Sequence, residues 1–400
     1  MYAAVAGPGI VTALAGNGAS GITTYSVIGS RFGLSLVWLL TICTVSLAVF
    51  QEMSARMGAV TGKGLASLIR ERFGLRLTFF AMMVLLVANV AITIAEFAGV
   101  AASLELFGLS KYITVPAIAI FIWVVVTKGS FSRVEKVFLA ICLIQVSYLI
   151  SGFMVKPDWG QVALAMVKPE VSTNPAFVLA AIAIVGTTVA PWMQFFVQSN
   201  VVDKGIDMAE YKYERMDVIT GSILSNVISL FIIICTAFTL FPVQVVETAE
   251  QAAVALSPLA GSGAKWLFGF GLFGASMLAA SVVPLSTSYA VCEAFGWESG
   301  IGRKLSEAPI FFGIYSLSIL LGVVVVLIPG VSLVRIMLLA QELNGILLPV
   351  ILIFMLTIVN DPQIMGEHVN GPAANAIAWI TACGAFVLGL VLFVTGMFAL

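Results

Sequence analysis

Apolar residues in this chain neither alternate nor keep to one helical face. They run in blocks of about twenty, separated by short polar connectors, which is the pattern of helices immersed in a hydrocarbon layer. Windows of that length predict spans at about 9–30, 34–56, 76–107, 112–128, 133–155, 175–200, 217–242, 264–296, 309–329, 333–358 and 371–399. The prediction is an all-α integral membrane protein of about eleven transmembrane helices. The third and eighth are long enough to tilt or to extend beyond the bilayer.

Two of these blocks cannot be continuous helices. Gly16-Asn17-Gly18-Ala19-Ser20-Gly21 puts three glycines into six positions of the first span, a poor helix interior. Gly186-Thr-Thr-Val-Ala-Pro-Trp-Met-Gln194 carries Pro191 in the sixth. Its missing N–H and its ring predict a break at 187–191. In lipid, the freed backbone groups must be satisfied by protein, water or a bound solute. Broken helices at corresponding places in two halves point to a transporter site near mid-membrane. The breaks in spans one and six divide the single transmembrane domain into 1–155, 175–358 and an appended helix at 371–399. Five is an odd number of crossings, so the second five spans would start on the opposite side from the first. That is an inverted repeat, the arrangement that serves alternating access.

Composition agrees with the pattern. The mean hydropathy is +1.10. Only 10% of residues are charged, against about 25% in soluble domains. The net charge of −1 gives no reason to expect a nucleic-acid partner. The even-numbered loops hold most of the 19 Lys and Arg residues: Arg56, Lys63, Arg70, Arg72, Arg76; Lys128, Arg133, Lys136; Lys204, Lys212, Arg215; Arg303 and Lys304. The positive-inside bias then predicts a cytoplasmic N-terminus and, after eleven spans, a C-terminus outside. A bacterial inner (plasma) membrane is the expected location. Residues 1–15 lack a basic n-region, so no cleavable signal peptide is expected. Residues 62–73 set Lys63, Arg70 and Arg72 beside Leu65, Leu68 and Ile69, which suits either an interfacial helix or a solvated connector. The mixed-charge stretch 201–216 is expected to be a solvated inner loop.

Cys43, Cys142, Cys235, Cys292 and Cys383 are scattered singly through apolar blocks, as buried thiols rather than a disulfide or metal framework. His368 is the single histidine, and it lies in a loop. No nucleophilic set or phosphate-cradling loop can be assembled, so neither an enzyme nor a cofactor is expected.

Ionisable groups inside spans are functional candidates. Asn89, Thr93 and Glu96, four and three apart, share one face of the third helix and could form a proton or ion pathway. In span ten, Gln341 and Asn344 can face one cavity while Glu342 points elsewhere. Glu52 and Arg56 read as a helix-end pair, and Glu105 and Glu293 as acids at span ends, where hydration is easy.

Gly7-Pro-Gly-Ile, Gln51-Glu-Met-Ser-Ala-Arg56, Ala95-Glu-Phe-Ala98, Arg133-Val-Glu-Lys-Val-Phe138 and the two broken spans together resemble the Nramp family of divalent-metal transporters. The resemblance covers nearly the whole chain. It implies a LeuT-type fold with 5+5 inverted repeats, a metal site between the two breaks, and a monomer in the bilayer. The family's first-span motif is Asp-Pro-Gly-Asn; this chain has Gly18-Ala19-Ser20-Gly21, without either side-chain ligand. The family's sixth-span carbonyl position falls on Thr187. Its methionine falls on Ala190 before Pro191, and the following histidine becomes Trp192. Glu96 matches an acid of the family's proton route, and Gln341 a glutamine that approaches the ion. By this resemblance the metal positions are Gly18, Gly21, Thr187, Ala190 and Gln341.

Loss of the thioether removes a preference for soft transition metals, while oxygen ligands and retained water suit magnesium. The expectation is a transporter of partly hydrated Mg2+, with Mn2+ tolerated, as in the Nramp-related magnesium branch. Its wide neutral cavity would be lined by Asn17, Gly18, Ser20, Gly21, Thr187, Thr188, Ala190, Trp192, Gln194, Gln341 and Asn344. An alternative keeps the fold and changes the cargo to a small organic cation or neutral solute. Trp192, Phe195, Phe196 and Tyr25 lie near the breaks, and aromatic faces attract ammonium groups. A third reading is a membrane binding protein or sensor that moves nothing.

Overall fold

The structure, a computed structural model, describes residues 12, 15–128 and 143–398. Among these residues it is helical throughout, with no strand. The Gly7–Ile10 and Arg133–Phe138 motifs, Cys142, and parts of spans one and five lie outside the described residues.

Residues 15–16 are helical, Asn17 and Gly18 are not, and α1 begins afresh at Ala19–Phe32. Helix α2 (Val37–Thr61) stops at Gly62, whose left-handed φ of 63° lets its N–H close on the Gly58 carbonyl at 2.9 Å. Helix α3 (Leu65–Glu105) is two helices end to end, divided at Gly74 with φ 72° and ψ 178°. Its short first part is the amphipathic segment of the sequence. Leu65, Leu68 and Ile69 are buried there, and Arg72 pairs with Asp361 at 2.7 Å. Its apolar side is therefore covered by protein. Helices α4 (Lys111–Thr127), α5 (Val146–Met154) and α6 (Trp159–Val167) follow. The sixth span is divided into α7 (Pro175–Thr188) and α8 (Pro191–Asp203) by Val189 and Ala190. Pro191 explains both sides of the break. It cannot continue α7, and it is pre-organised for the first position of α8. The chain then forms α9 (Tyr211–Thr239), α10 (Ala264–Phe295), α11 (Pro309–Val326), α12 (Leu333–Val359) and α13 (Pro372–Phe398).

Eight of the predicted spans are long and apolar enough to cross a membrane among the described residues. The fourth is an apolar helix of 17 residues. The sixth span is 83% buried and the last only 22%. The broken helix thus lies at the centre, and α13 lies at the rim, where an appended helix belongs. Helix α3 packs most extensively against α10 and α12, and α9 packs against α1 and α2.

At the crossing of α7 and α12 the backbones themselves meet. A Cβ on Gly186 would run into the Gln341 carbonyl and the Gly345 backbone, and one on Gly345 into Ile182. Only glycine permits that approach.

Cys43, Cys235 and Cys292 are free and buried, whereas Cys383 is exposed. Glu52 and Arg56 do pair, Nε to Oε1 at 3.1 Å. Arg56 also donates to the carbonyls of His368 at 2.5 Å and Val369 at 3.1 Å, clasping α2 to the loop before α13. One expectation fails locally. The stretch 201–216 is not a solvated loop throughout, because α9 starts at Tyr211 and buries Glu214 completely. Its charges were read as solvent-facing because nothing local reveals that a helix enters the bundle there.

Candidate functional site

The two breaks face each other at the centre of the bundle. Residues of α1, α3, α7 and α12 meet there, and Glu96 is the hub. It is 1% exposed. The Ala19 N–H donates to its Oε2 at 2.8 Å, and the Ser20 N–H and hydroxyl donate to its Oε1 at 3.3 and 2.5 Å. The carboxylate thus occupies the N-terminus of α1. Unpaired N–H groups and the positive end of the helix dipole favour an anion at such a position.

A Cβ on Gly18 would lie 2.6 Å from both Glu96 oxygens. The space at Gly18 is therefore filled by the carboxylate of residue 96, and this corrects the expectation of a wide, neutral cavity there. An acid is present, delivered from the third span instead of the first.

Around Glu96 the hydrogen bonds form a chain. Gln341 Nε2 donates to Ser20 Oγ at 2.7 Å, and Asn344 Nδ2 to Gln341 Oε1 at 3.4 Å. Glu342 faces away, 3.9 Å from Arg335, as its place between these two residues predicts. On the other side, the Thr187 hydroxyl is buried and has no hydrogen-bond partner within bonding distance among the described residues. A Cβ on Gly21 would stand 3.2 Å from it and 3.1 Å from the Gly16 carbonyl. Gly18, Ser20, Gly21, Thr187, Glu96, Gln341 and Asn344 are therefore gathered in one polar locus of carboxylate, hydroxyl, amide and carbonyl oxygens.

The remaining predicted residues are placed differently. Asn17 is held by α9: its Nδ2 donates to the Ser225 carbonyl at 2.8 Å, and its Oδ1 accepts from Ser229 at 3.0 Å. Thr188 is bonded to the Tyr25 hydroxyl at 3.0 Å. Ala190 caps α8 and is buried. Gln194 turns to α2 and accepts from Ser54 at 3.3 Å. Trp192 is 1% exposed; its carbonyl accepts from Ser286 at 3.1 Å, and its ring lies 6.0 Å from Phe196. Along the third span, Asn89 donates to Thr287 at 2.9 Å and Thr93 to the Asn89 carbonyl at 2.8 Å. Of that trio, Glu96 alone makes contact with the break in span one. Glu293 accepts from Ser199 at 2.8 Å, and its other oxygen is buried without a hydrogen-bond partner among the described residues. Its carboxylate is therefore less hydrated than its place at a span end suggests.

Sequence reasoning missed one residue. The thioether of Met193 lies against the first break, 2.6 Å (Cε) and 3.4 Å (Sδ) from where a Cβ on Gly16 would stand. It follows Pro191 where the family pattern has its sulfur before the proline, so pattern matching passed over it. No helical wheel of α8 would have singled it out, because Pro191 to Ser199 are buried on every side of that helix.

A family model described as natural resistance-associated macrophage protein-like, Nramp, matches residues 9–395. The divalent metal cation transporter MntH of Verminephrobacter eiseniae is 27% identical, over 98% of this chain and 89% of that protein. The protein of the same name from Granulibacter bethesdensis is 26% identical, over 96% and 86%. Among solved structures, the Eremococcus coleocola manganese transporter superposes with a TM-score of 0.79 at 20% identity, covering 98% of this chain and 86% of that one. The structure of MhsT in complex with L-phenylalanine superposes with a TM-score of 0.59 at 14% identity, covering 98% of both chains. These structural likenesses define the fold.

Proposed function

This chain belongs to the Nramp family, and we propose that it moves divalent cations across the membrane as partly hydrated ions by alternating access, Mg2+ first and Mn2+ tolerated. The protein is an integral, multi-pass membrane transporter and not an enzyme. The observation that carries the proposal is the Glu96 carboxylate in the space beside Gly18. A divalent ion held in a low-dielectric site without an anion would face a desolvation cost of tens of kcal/mol by Born estimates. Glu96 supplies that anion. One of its oxygens carries a single hydrogen bond at 2.8 Å from Ala19 and keeps lone-pair capacity for a cation or its water.

Ser20 and Thr187 add neutral hydroxyl oxygens, hard donors suited to an ion that keeps several waters, and Gln341 holds Ser20 in place through its amide nitrogen. With Gly18, Gly21 and Ala190 replacing the family's aspartate, asparagine and methionine, no thioether stands at the family position. Met193 favours a second reading. Its sulfur borders the break, and a thioether within reach of the ion would shift preference toward Mn2+. The aromatic alternative has less support, because Trp192 is buried in helix packing instead of lining an open face.

The repeat organisation, 1–155 against 175–358 with 371–399 appended, is part of the same proposal. It is supported by the breaks in spans one and six and by the pairing of span two with seven (α2 with α9) and three with eight (α3 with α10).

The test is uptake by purified protein in sealed liposomes, comparing Mg2+, Mn2+, Ca2+ and methylammonium, with a pH dye inside. Saturable Mg2+ entry that is lost in Glu96→Gln supports the proposal. Mn2+ entry that strongly outcompetes Mg2+ and weakens in Met193→Leu selects the second reading. Movement of methylammonium alone overturns both. Specific binding with no entry of any cation leaves a sensor.

A further inference from the structure

A second site lies away from the breaks. Helices α2, α9 and α13 enclose a groove of about 590 Å3. Each helix contributes a stripe at helical spacing: 44, 48, 52 and 56 from α2; 211, 215, 219 and 223 from α9; 374 and 377 from α13, with Gly371 just before that helix. Twelve residues of helix span roughly 18 Å, a little more than half of the roughly 30 Å hydrocarbon core. The groove therefore runs from one membrane surface to about mid-depth. Its volume, spread over that length, fits a chain better than a compact solute.

The two ends differ in chemistry. Toward mid-membrane the walls are Val45, Ile219, Ile223 and Ile377; at the surface end stand Glu52, Arg56, Tyr211 and Arg215. The Glu52 carboxylate is already engaged by Arg56 and by the Tyr211 hydroxyl, so its charge is compensated. Arg215 is exposed and forms no ion pair among the described residues. One uncompensated cation thus stands at the mouth of an apolar groove.

We propose that this groove binds one anionic phospholipid of the adjacent leaflet, with an acyl chain between α2, α9 and α13 and its phosphate against Arg215. A soluble anion would gain nothing from the apolar walls, and a neutral lipid would leave the arginine unanswered. The charge bias of the loops assigns this end to the cytoplasm, where anionic lipid concentrates.

The full chain is purified in detergent and offered phosphatidylglycerol, phosphatidylcholine or inorganic phosphate, with retained lipid counted by native mass spectrometry. Wild type should retain phosphatidylglycerol in preference to phosphatidylcholine, and inorganic phosphate should not displace it. Arg215→Gln should weaken retention about fivefold, the worth of one basic side chain near a membrane surface. Arg303→Gln, which removes another exposed arginine at a distance, should leave it unchanged. Ala374→Trp, which fills the groove, should abolish it. Equal retention of the two lipids, or equal losses in the two arginine variants, would overturn the proposal. If Ala374→Trp fails to fold, the contrast between the two arginine variants decides.

Discussion

The contact between residue 18 and Glu96 can be tested with one methyl group. In Gly18→Ala the new Cβ would stand 2.6 Å from both carboxylate oxygens, closer than real Cβ atoms come. Either α1 shifts or the carboxylate withdraws. Withdrawal breaks its bonds to Ala19 and Ser20, and a hydrogen bond to a charged group is worth about 1.5–3 kcal/mol. If that geometry is what the ion meets, apparent affinity should fall by roughly ten- to a hundredfold. Liposome uptake as a function of Mg2+ concentration measures this, with the thermal unfolding midpoint as the control for folding. Glu96→Asp withdraws the carboxylate by one methylene, so Gly18→Ala with Glu96→Asp should bind better than the product of the single losses. The reasoning is refuted if Gly18→Ala transports with wild-type affinity, or if the two losses simply multiply. Gly18→Asp, which would restore the family's acid, should do worse than alanine, because it sets two carboxylates in one place.

Glu96→Gln should stop divalent uptake while the protein still folds, and any pH dependence carried by that acid should vanish; the internal dye reports both. Ser20→Ala removes the link between Glu96 and Gln341 and should weaken uptake roughly tenfold without unfolding the protein, read from the same titration. Arg56→Ala should lower stability by about 3 kcal/mol, because it leaves Glu52 with the Tyr211 hydroxyl but without its cation and takes the donor from the His368 and Val369 carbonyls; thermal unfolding measures it. Gly186→Val should prevent folding altogether, judged by yield and size-exclusion profile, since its branches would enter the backbone of α12.

Much of this was legible because glycine and proline act locally. The glycine run at 16–21 and Pro191 place the two breaks within a residue or two, with no tertiary information needed. Helical spacing alone separates Gln341 and Asn344 from Glu342. The site's charge was not legible in the same way. Residues 18 and 96 are far apart in sequence, and only the crossing of α1 and α3 shows one filling the space of the other. The first-span pattern reads as an acid lost, whereas the structure sets the third-span acid into the space beside Gly18. Glu214 was misplaced for a related reason: a charged stretch looks solvated until the fold buries it. Met193 was missed because the proline fixes where a helix starts, and a pattern aligned before the proline does not look after it.

The meeting of Gly186 and Gly345 has a mechanical consequence. Interdigitated side chains resist rotation, because each ridge must climb out of its groove. Two glycines place no side chain of their own between the helices, so a swivel of α7 on α12 at that point meets less steric resistance than a crossing of interlocked side chains. Sliding along α12 is a different matter, since it would drive Ile182 and its neighbours into the facing helix. The contact is a bearing that permits turning and opposes travel. If α7, the first half of span six, swings to open or close the way to Glu96, the cheapest axis for that swing passes through these two glycines.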